Sequence, residues 1–306
     1  MRADHGGGGA IPGDPGAFDR HRPLLFSIAY RMLGSVMEAE DAVQEAYLRW
    51  RRASGEEVRS ERAYLSAVVT RLCIDRLRSA RARREEYVGP WLPEPLPDER
   101  APEVDEAVAL EDSLSMAFLV LLESLTPVER AVFLLREVFG YEYAEISGIV
   151  GKSEANCRQI SRRARASVAA RRPRFERSPG QEERLTREFV QACAAGDMDG
   201  LLALLAKDVT LWSDGGGKTR AARNPIHGAP NVARFLLGIL RKAPPGLAVR
   251  PARINGSPGL VGHFGDGSPQ SATTFGFAGG RIAEIRLVVN PEKLEGVRPL
   301  PPEARR

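Results

Sequence analysis

Five prolines (Pro90, Pro93, Pro95, Pro97 and Pro102) fall within residues 86–107, between stretches with helical periodicity. A ring that fixes φ and removes an amide donor is incompatible with a helix interior, so this segment must run extended between separately folded bodies. It is also strongly acidic: nine acids and one basic residue, Arg100, lie between Glu86 and Asp112. Both neighbours are cationic. Six arginines and one acid, Asp75, lie between Arg71 and Arg84, and eight basic residues and one acid, Glu154, between Lys152 and Arg174. The formal net charge of +4 hides this separation, which raises the odds of a polyanion partner. Trp91-Leu92-Pro93-Glu94-Pro95 sets an indole in the acidic linker, where exposure to water is costly; it reads as a docking peptide for another domain of the chain.

Residues 17–85 read as an all-helical domain. Leu24, Leu25, Ile28, Ala29 and Met32 form one apolar stripe, with Gly34 a natural stop. A second helix, about Val36 to Arg52, carries Glu38, Glu40, Asp41, Gln44 and Glu45 outward, and a third starts near Ser60. The Gly/Pro-rich residues 1–16 lack the apolar stretch of a secretory signal and are expected to be disordered. Three well-separated cysteines (Cys73, Cys157, Cys193) exclude a disulfide framework and a CxxC metal knuckle and fit a reducing cytoplasm. No apolar run is long enough to span a bilayer.

A second helical domain is expected over 108–173. Thr126-Pro127-Val128-Glu129 combines a cap, a proline at the first helical position and a capping-box glutamate. Helices at about Tyr143–Val150 and Ser153–Arg171, joined by Gly151-Lys152, follow the plan of a helix-turn-helix. In that plan Asn156, Arg158, Gln159 and Arg162 are candidates for major-groove contact, and Arg163, Arg165, Arg171 and Arg172 suit phosphates. Beyond Pro179 the pattern changes class. Two helices, a strand at Val209–Trp212, a helix near Pro230–Arg241 and several β-like runs predict an α+β domain with a curved antiparallel sheet over 181–296, then a tail over 297–306.

Glu38-Ala39-Glu40-Asp41-Ala42-Val43-Gln44-Glu45, Ile74-Asp75-Arg76-Leu77-Arg78 and Tyr143 to Arg165 together resemble the extracytoplasmic-function group of bacterial sigma factors, in the family's order. The last domain, with Asp214-Gly215-Gly216-Gly217-Lys218 and Asn290-Pro291-Glu292-Lys293-Leu294, resembles the SnoaL-like (nuclear-transport-factor-2-like) cone. The fusion is similar to one subgroup, ECF group 41, whose extra domain regulates the factor in cis.

The resemblance implies a multidomain fold: two all-α sigma domains, the second with a helix-turn-helix, followed by an α+β SnoaL-like domain. It implies that Glu38, Glu40, Asp41, Gln44 and Glu45 dock on the β′ subunit of core RNA polymerase, a complex that also includes the β subunit. Arg71, Arg76 and Arg78 would hold phosphates around the −10 element and Tyr64 would stack on a base, while the second helix of the helix-turn-helix reads the −35 element. Trp91, Leu92, Pro93, Glu94 and Pro95 would meet Asp214 to Lys218 and Asn290 to Leu294, with Lys218 matched to the acidic linker. The implied protein is a cytoplasmic transcription factor, monomeric when free, with no cofactor, metal or membrane partner.

Two other functions compete. A one-component helix-turn-helix regulator with a ligand-binding domain would not need an acidic docking helix. A cyclase or isomerase would need acid/base groups in the cone, for which Asp214, His227 and His263 are candidates; the sequence shows no nucleophile–base pair and no HxH or HExxH cluster.

Overall fold

The computed structural model describes residues 14–53, 58, 60–85, 87–100, 114–171 and 179–301. Among them, those up to 80 together with 125–167 form one compact unit, and 81–100, 114–124 and those from 168 onward form a second.

The first unit is all-helical. Helix α1 (Pro15–Leu33) starts two residues earlier than the sequence predicts because the Asp14 carboxylate accepts from Gly16 N and Ala17 N; the remainder of the expected N-terminal disorder lies outside the described residues. Gly34 ends it in the left-handed conformation at φ 69°. Ser35 caps α2 (Val36–Trp50), and α3 spans Glu61–Glu85. Thr126 and Glu129 form the expected capping box at the start of α5 (Pro127–Phe133), which runs into a π-helical turn over Leu134–Val138. Helices α6 (Tyr143–Val150) and α7 (Glu154–Arg171) follow, with Gly151 at φ 65° between them. Helix α1 packs on α2, on α5 and on the π turn. Two buried arginines fasten this packing. Arg130 of α5 donates from Nη1 to Met32 O at 2.6 Å, at the carbonyl end of α1. Arg31 reaches Ser27 and lies 5.6 Å above the Phe139 ring. Burial pushes each guanidinium down to about 10.

The second unit holds the linker, α4 (Met116–Leu122) and the C-terminal domain; the expected helix start near Val108 lies outside the described residues. Helices α8 (Pro179–Ala195), α9 (Met198–Leu204) and α10 (Ala229–Leu240) accompany a six-stranded sheet. Its strands are β1 (Leu205–Asp214), β2 (Ile226–His227), β3 (Ala248–Ile254), β4 (Ser257–His263), β5 (Pro269–Ala278) and β6 (Arg281–Val288), in the order β2-β1-β6-β5-β4-β3. The α+β class is as expected, but the sheet is not wholly antiparallel: β1 and β6 pair in parallel, Asp214 opposite Val288. Two neighbouring strands of one direction finish at the same edge, so the segments after Asp214 and after Val288 emerge side by side.

Both faces of the sheet are covered. Leu211, Leu260, Phe275 and Ile285 pack with Phe189, Leu201, Val232 and Leu236 of the helices. Val261, Ala272 and Val288 look the other way and enclose Leu92 of the linker, with Leu294 and Val297. This two-sided burial explains the nearly continuous buried run along β4.

Candidate functional site

Helix α2 divides its faces as the sequence predicts. Ala39, Ala42, Val43 and Ala46 are buried, Asp41 and Gln44 exposed, and Glu38, Glu40 and Glu45 half-buried. A feature the sequence reasoning passed over is that Met37 and Leu48 are 61% and 47% exposed. They extend the row Met37, Asp41, Gln44, Leu48, whose spacing keeps it on one outer face, so the face is apolar as well as acidic.

The arginines of α3 have partners within the helical unit. Arg71 donates from Nε to Ile149 O at 2.9 Å and from Nη2 to Gly148 O at 2.6 Å, holding the carbonyl end of α6. Arg76 lies against α2: Nη1 donates to Glu38 O at 3.0 Å and sits near Asp41 and Glu45. Arg78 pairs with Asp75 at 3.2 Å and is well exposed. Tyr64 packs against the buried Trp50, ring centroids 5.9 Å apart.

On α7, Cys157, Ile160 and Ala164 turn inward while Arg158, Gln159, Arg162, Arg163 and Arg165 are exposed and Asn156 is half-buried. Arg158 pairs with Glu154 at 2.8 Å, and Arg165 lies 3.6 Å from Glu137. Ser153 caps the helix start by accepting from Asn156 N. The exposed face of α7 is cationic.

In the second unit the linker is latched at two places. At the first, the Asp214 side chain is fully buried. Its carboxylate accepts from Tyr87 Oη at 2.6 Å, Leu92 N at 2.8 Å, Gly216 N at 3.1 Å and Lys293 Nζ at 2.7 Å. Lys293 also donates to Leu92 O at 2.5 Å and lies 4.3 Å from the Trp91 ring centroid. Asn290 donates from Nδ2 to Tyr87 Oη at 3.0 Å. Burial and the hydrogen bond to Asp214 push the Tyr87 phenol well above its ordinary range.

At the second, Asn255 sits at φ 54° in the tight β3–β4 turn with Gly256. Its backbone N donates to Leu96 O at 2.8 Å, its Oδ1 accepts from Leu96 N at 3.1 Å, and its Nδ2 donates to Leu114 O at 3.1 Å. Asp98 adds a bond to Gly256 N and an ion pair with Arg253, both at 2.9 Å.

Residues 17–83 match the sigma-70 region 2 family and residues 115–168 match sigma-70 region 4. The chain is 37% identical to the ECF RNA polymerase sigma factor SigJ of Mycobacterium tuberculosis, over 91% of this chain and 92% of SigJ. The chain belongs to the ECF sigma factors. It is 33% identical to the probable ECF sigma factor SigI of the same organism, over 92% of this chain and 95% of SigI. The crystal structure of SigJ superposes with a TM-score of 0.74, covering 92% of this chain and 99% of that one.

Several expectations for this sigma factor change in detail. The cation at the first latch is Lys293, not Lys218: Lys218 pairs with Glu292, and both are exposed. The reason is position, since Lys293 follows Asn290 in the turn that the parallel β1–β6 pair brings to Asp214. Trp91 is half-buried, whereas Leu92, Pro93, Glu94 and Pro95 are buried. The helix-side face of the sheet encloses a cavity of about 660 Å³ lined by residues such as Phe189, Cys193, Leu236, Leu260, Ser271 and Leu287. None of the three candidate acid/base groups lines it. Asp214 serves the latch, His227 bonds Thr210 on the surface, and His263 is buried beside Arg298 O. Tyr87, Asn255 and Asp98 were missed by sequence reasoning; the Asn-Gly pair between two strand-like runs was the available signal for one of them.

The glycines at 215–217 are required by close approach. A Cβ at Gly215 would stand 2.4 Å from Thr219 O, and one at Gly216, at φ 59°, would stand 2.4 Å from Asn290 Nδ2. Gly216→Ala is expected to lower stability by about 1–3 kcal/mol, read by urea unfolding; an unchanged midpoint would mean that the Asn290–Tyr87 contact has no structural weight.

Proposed function

We propose that this ECF sigma factor binds core RNA polymerase through the outer face of α2, against the β′ subunit, and directs the enzyme to a promoter with −35 and −10 elements. In this reading α7 enters the major groove at the −35 element, with Asn156, Arg158, Gln159 and Arg162 at base edges and Arg163 and Arg165 at phosphates. Helix α3 serves the −10 element through Arg71, Arg76, Arg78 and Tyr64. The free factor is monomeric and cytoplasmic. The observation that carries the DNA assignment is the division of α7 into an apolar inner face and an exposed row of arginines. Reconstituted run-off transcription with sigma-free core polymerase tests it: a promoter-dependent transcript is expected, and none would overturn the reading. Arg162→Ala is expected to weaken promoter binding by about 1–3 kcal/mol and relax preference at one −35 position, measured by gel shift of the polymerase complex.

We further propose that the C-terminal domain regulates the factor in cis through the linker rather than acting as a catalyst. Asp214 supports this, since a carboxylate engaged by Tyr87, Leu92, Gly216 and Lys293 is committed to structure. Docked, the linker is held to a fixed path; released, it is a proline-rich tether whose length sets the reach between the two promoter-reading bodies. A ligand or polymerase that prefers one of these states shifts the population.

A further inference from the structure

Where the linker lies on the face of the sheet away from the helices, a second concavity of about 410 Å³ opens. Trp91 and Leu92 of the linker, Trp212 of β1, Arg286 of β6, and Arg223 and Pro225 of the β1–β2 connection are among its lining. The charges do not balance. Arg286 is 5% exposed, lies 5.3 Å above the Trp212 ring and pairs through Nη2 with Glu284 at 2.5 Å. Its Nη1 is buried with no hydrogen-bond partner among the described residues. Arg223 is exposed and makes no hydrogen bond or ion pair among the described residues. Glu284 thus serves Arg286 alone, and Arg223 has no carboxylate among the described residues, in a hollow that also carries two indoles. A buried guanidinium with an unused donor is costly, and an anion is what satisfies it. Guanidinium forks match carboxylates, and indole faces match flat apolar rings.

We propose that this hollow binds a small aromatic carboxylate, which bridges the linker and the sheet and so stabilises the docked linker. The regulatory consequence rests on the cis-regulation reading above; the binding site does not. The ligand would touch Trp91, a linker residue, and Arg286 and Trp212, sheet residues, so its affinity for the docked state exceeds that for the released state.

The test uses the full chain with 2-naphthoate as probe and 2-naphthamide as its neutral counterpart, followed by calorimetry and by hydrogen exchange at the Leu92 amide. Naphthoate is expected to bind one-to-one and slow that exchange; Arg286→Gln and the amide should each weaken binding roughly tenfold or more, the loss of one charge-assisted contact. Arg223→Gln, at an exposed position with no native bond, should fold normally and still bind more weakly. No binding at millimolar naphthoate, equal binding of the amide, or binding insensitive to both arginines would overturn the proposal. So would binding abolished only by Ser271→Trp, which fills the helix-side cavity, or binding that leaves Leu92 exchange unaltered. Transcription by an Asp214→Ala chain reads the regulatory premise separately: parental activity there would end that premise whatever naphthoate does.

Discussion

Asp214→Ala is expected to cost the second unit about 3–5 kcal/mol and to free the linker, because it strands four donors at once. The Lys293 side chain, 12% exposed, would lose its carboxylate partner at 2.7 Å, and Tyr87 Oη, Leu92 N and Gly216 N would lose their acceptor. Asp214→Asn keeps the shape but not the charge and should fall between the two. Differential scanning calorimetry and hydrogen exchange of the full chain read the effect: Leu92 should exchange many times faster while amides of the helical unit stay protected. An unchanged melting profile with Leu92 still protected would show that the carboxylate does not hold the linker.

The second large effect is expected on polymerase affinity. Asp41→Arg combined with Leu48→Arg replaces an acidic and an apolar contact on the outer face of α2 with two cations. Both side chains are exposed, and among the described residues the only native ion pair disturbed is the 3.8 Å approach of Asp41 to Arg76, so folding should be preserved to within about 1 kcal/mol. Against a basic partner surface, loss of two central contacts and the added repulsion should lower core binding by about a hundredfold, or about 2.7 kcal/mol. Fluorescence anisotropy of labelled factor with core polymerase measures it, with circular dichroism as the folding control. Retained affinity would place the docking face elsewhere.

The helical half was legible because its signals are local. Thr126 to Glu129 and Gly151 act within one turn of chain, and the α6 bounds, Tyr143–Val150, coincide with the periodicity. The C-terminal α+β half was legible only strand by strand. Nothing in the spacing says that β1 and β6, about seventy residues apart, lie parallel, yet that pairing is what brings Asp214 and Lys293 together. Without it, Lys218 was the nearest lysine in sequence to the glycine triplet and drew the role that Lys293 fills. The arginines of α3 were legible in a different way. The resemblance assigned Arg71 and Arg76 to phosphates, and in the folded chain they also engage the carbonyl end of α6 and the acidic face of α2. Composition cannot reveal that a cation already has a partner many residues away.

The latch also has a temporal side. Leu92 leaves the ribosome long before what it binds: its amide partner Asp214 lies 122 residues downstream, and Lys293, which takes its carbonyl, 201. Leu96 must wait 159 residues for Asn255. Strand β1 lacks its parallel partner until β6 is made, so the C-terminal sheet cannot close before Val288 has been synthesised. Until then the nascent chain carries an undocked, tryptophan-bearing tether, and synthesis of β6 and of the turn that bears Lys293 determines when that tether is stowed.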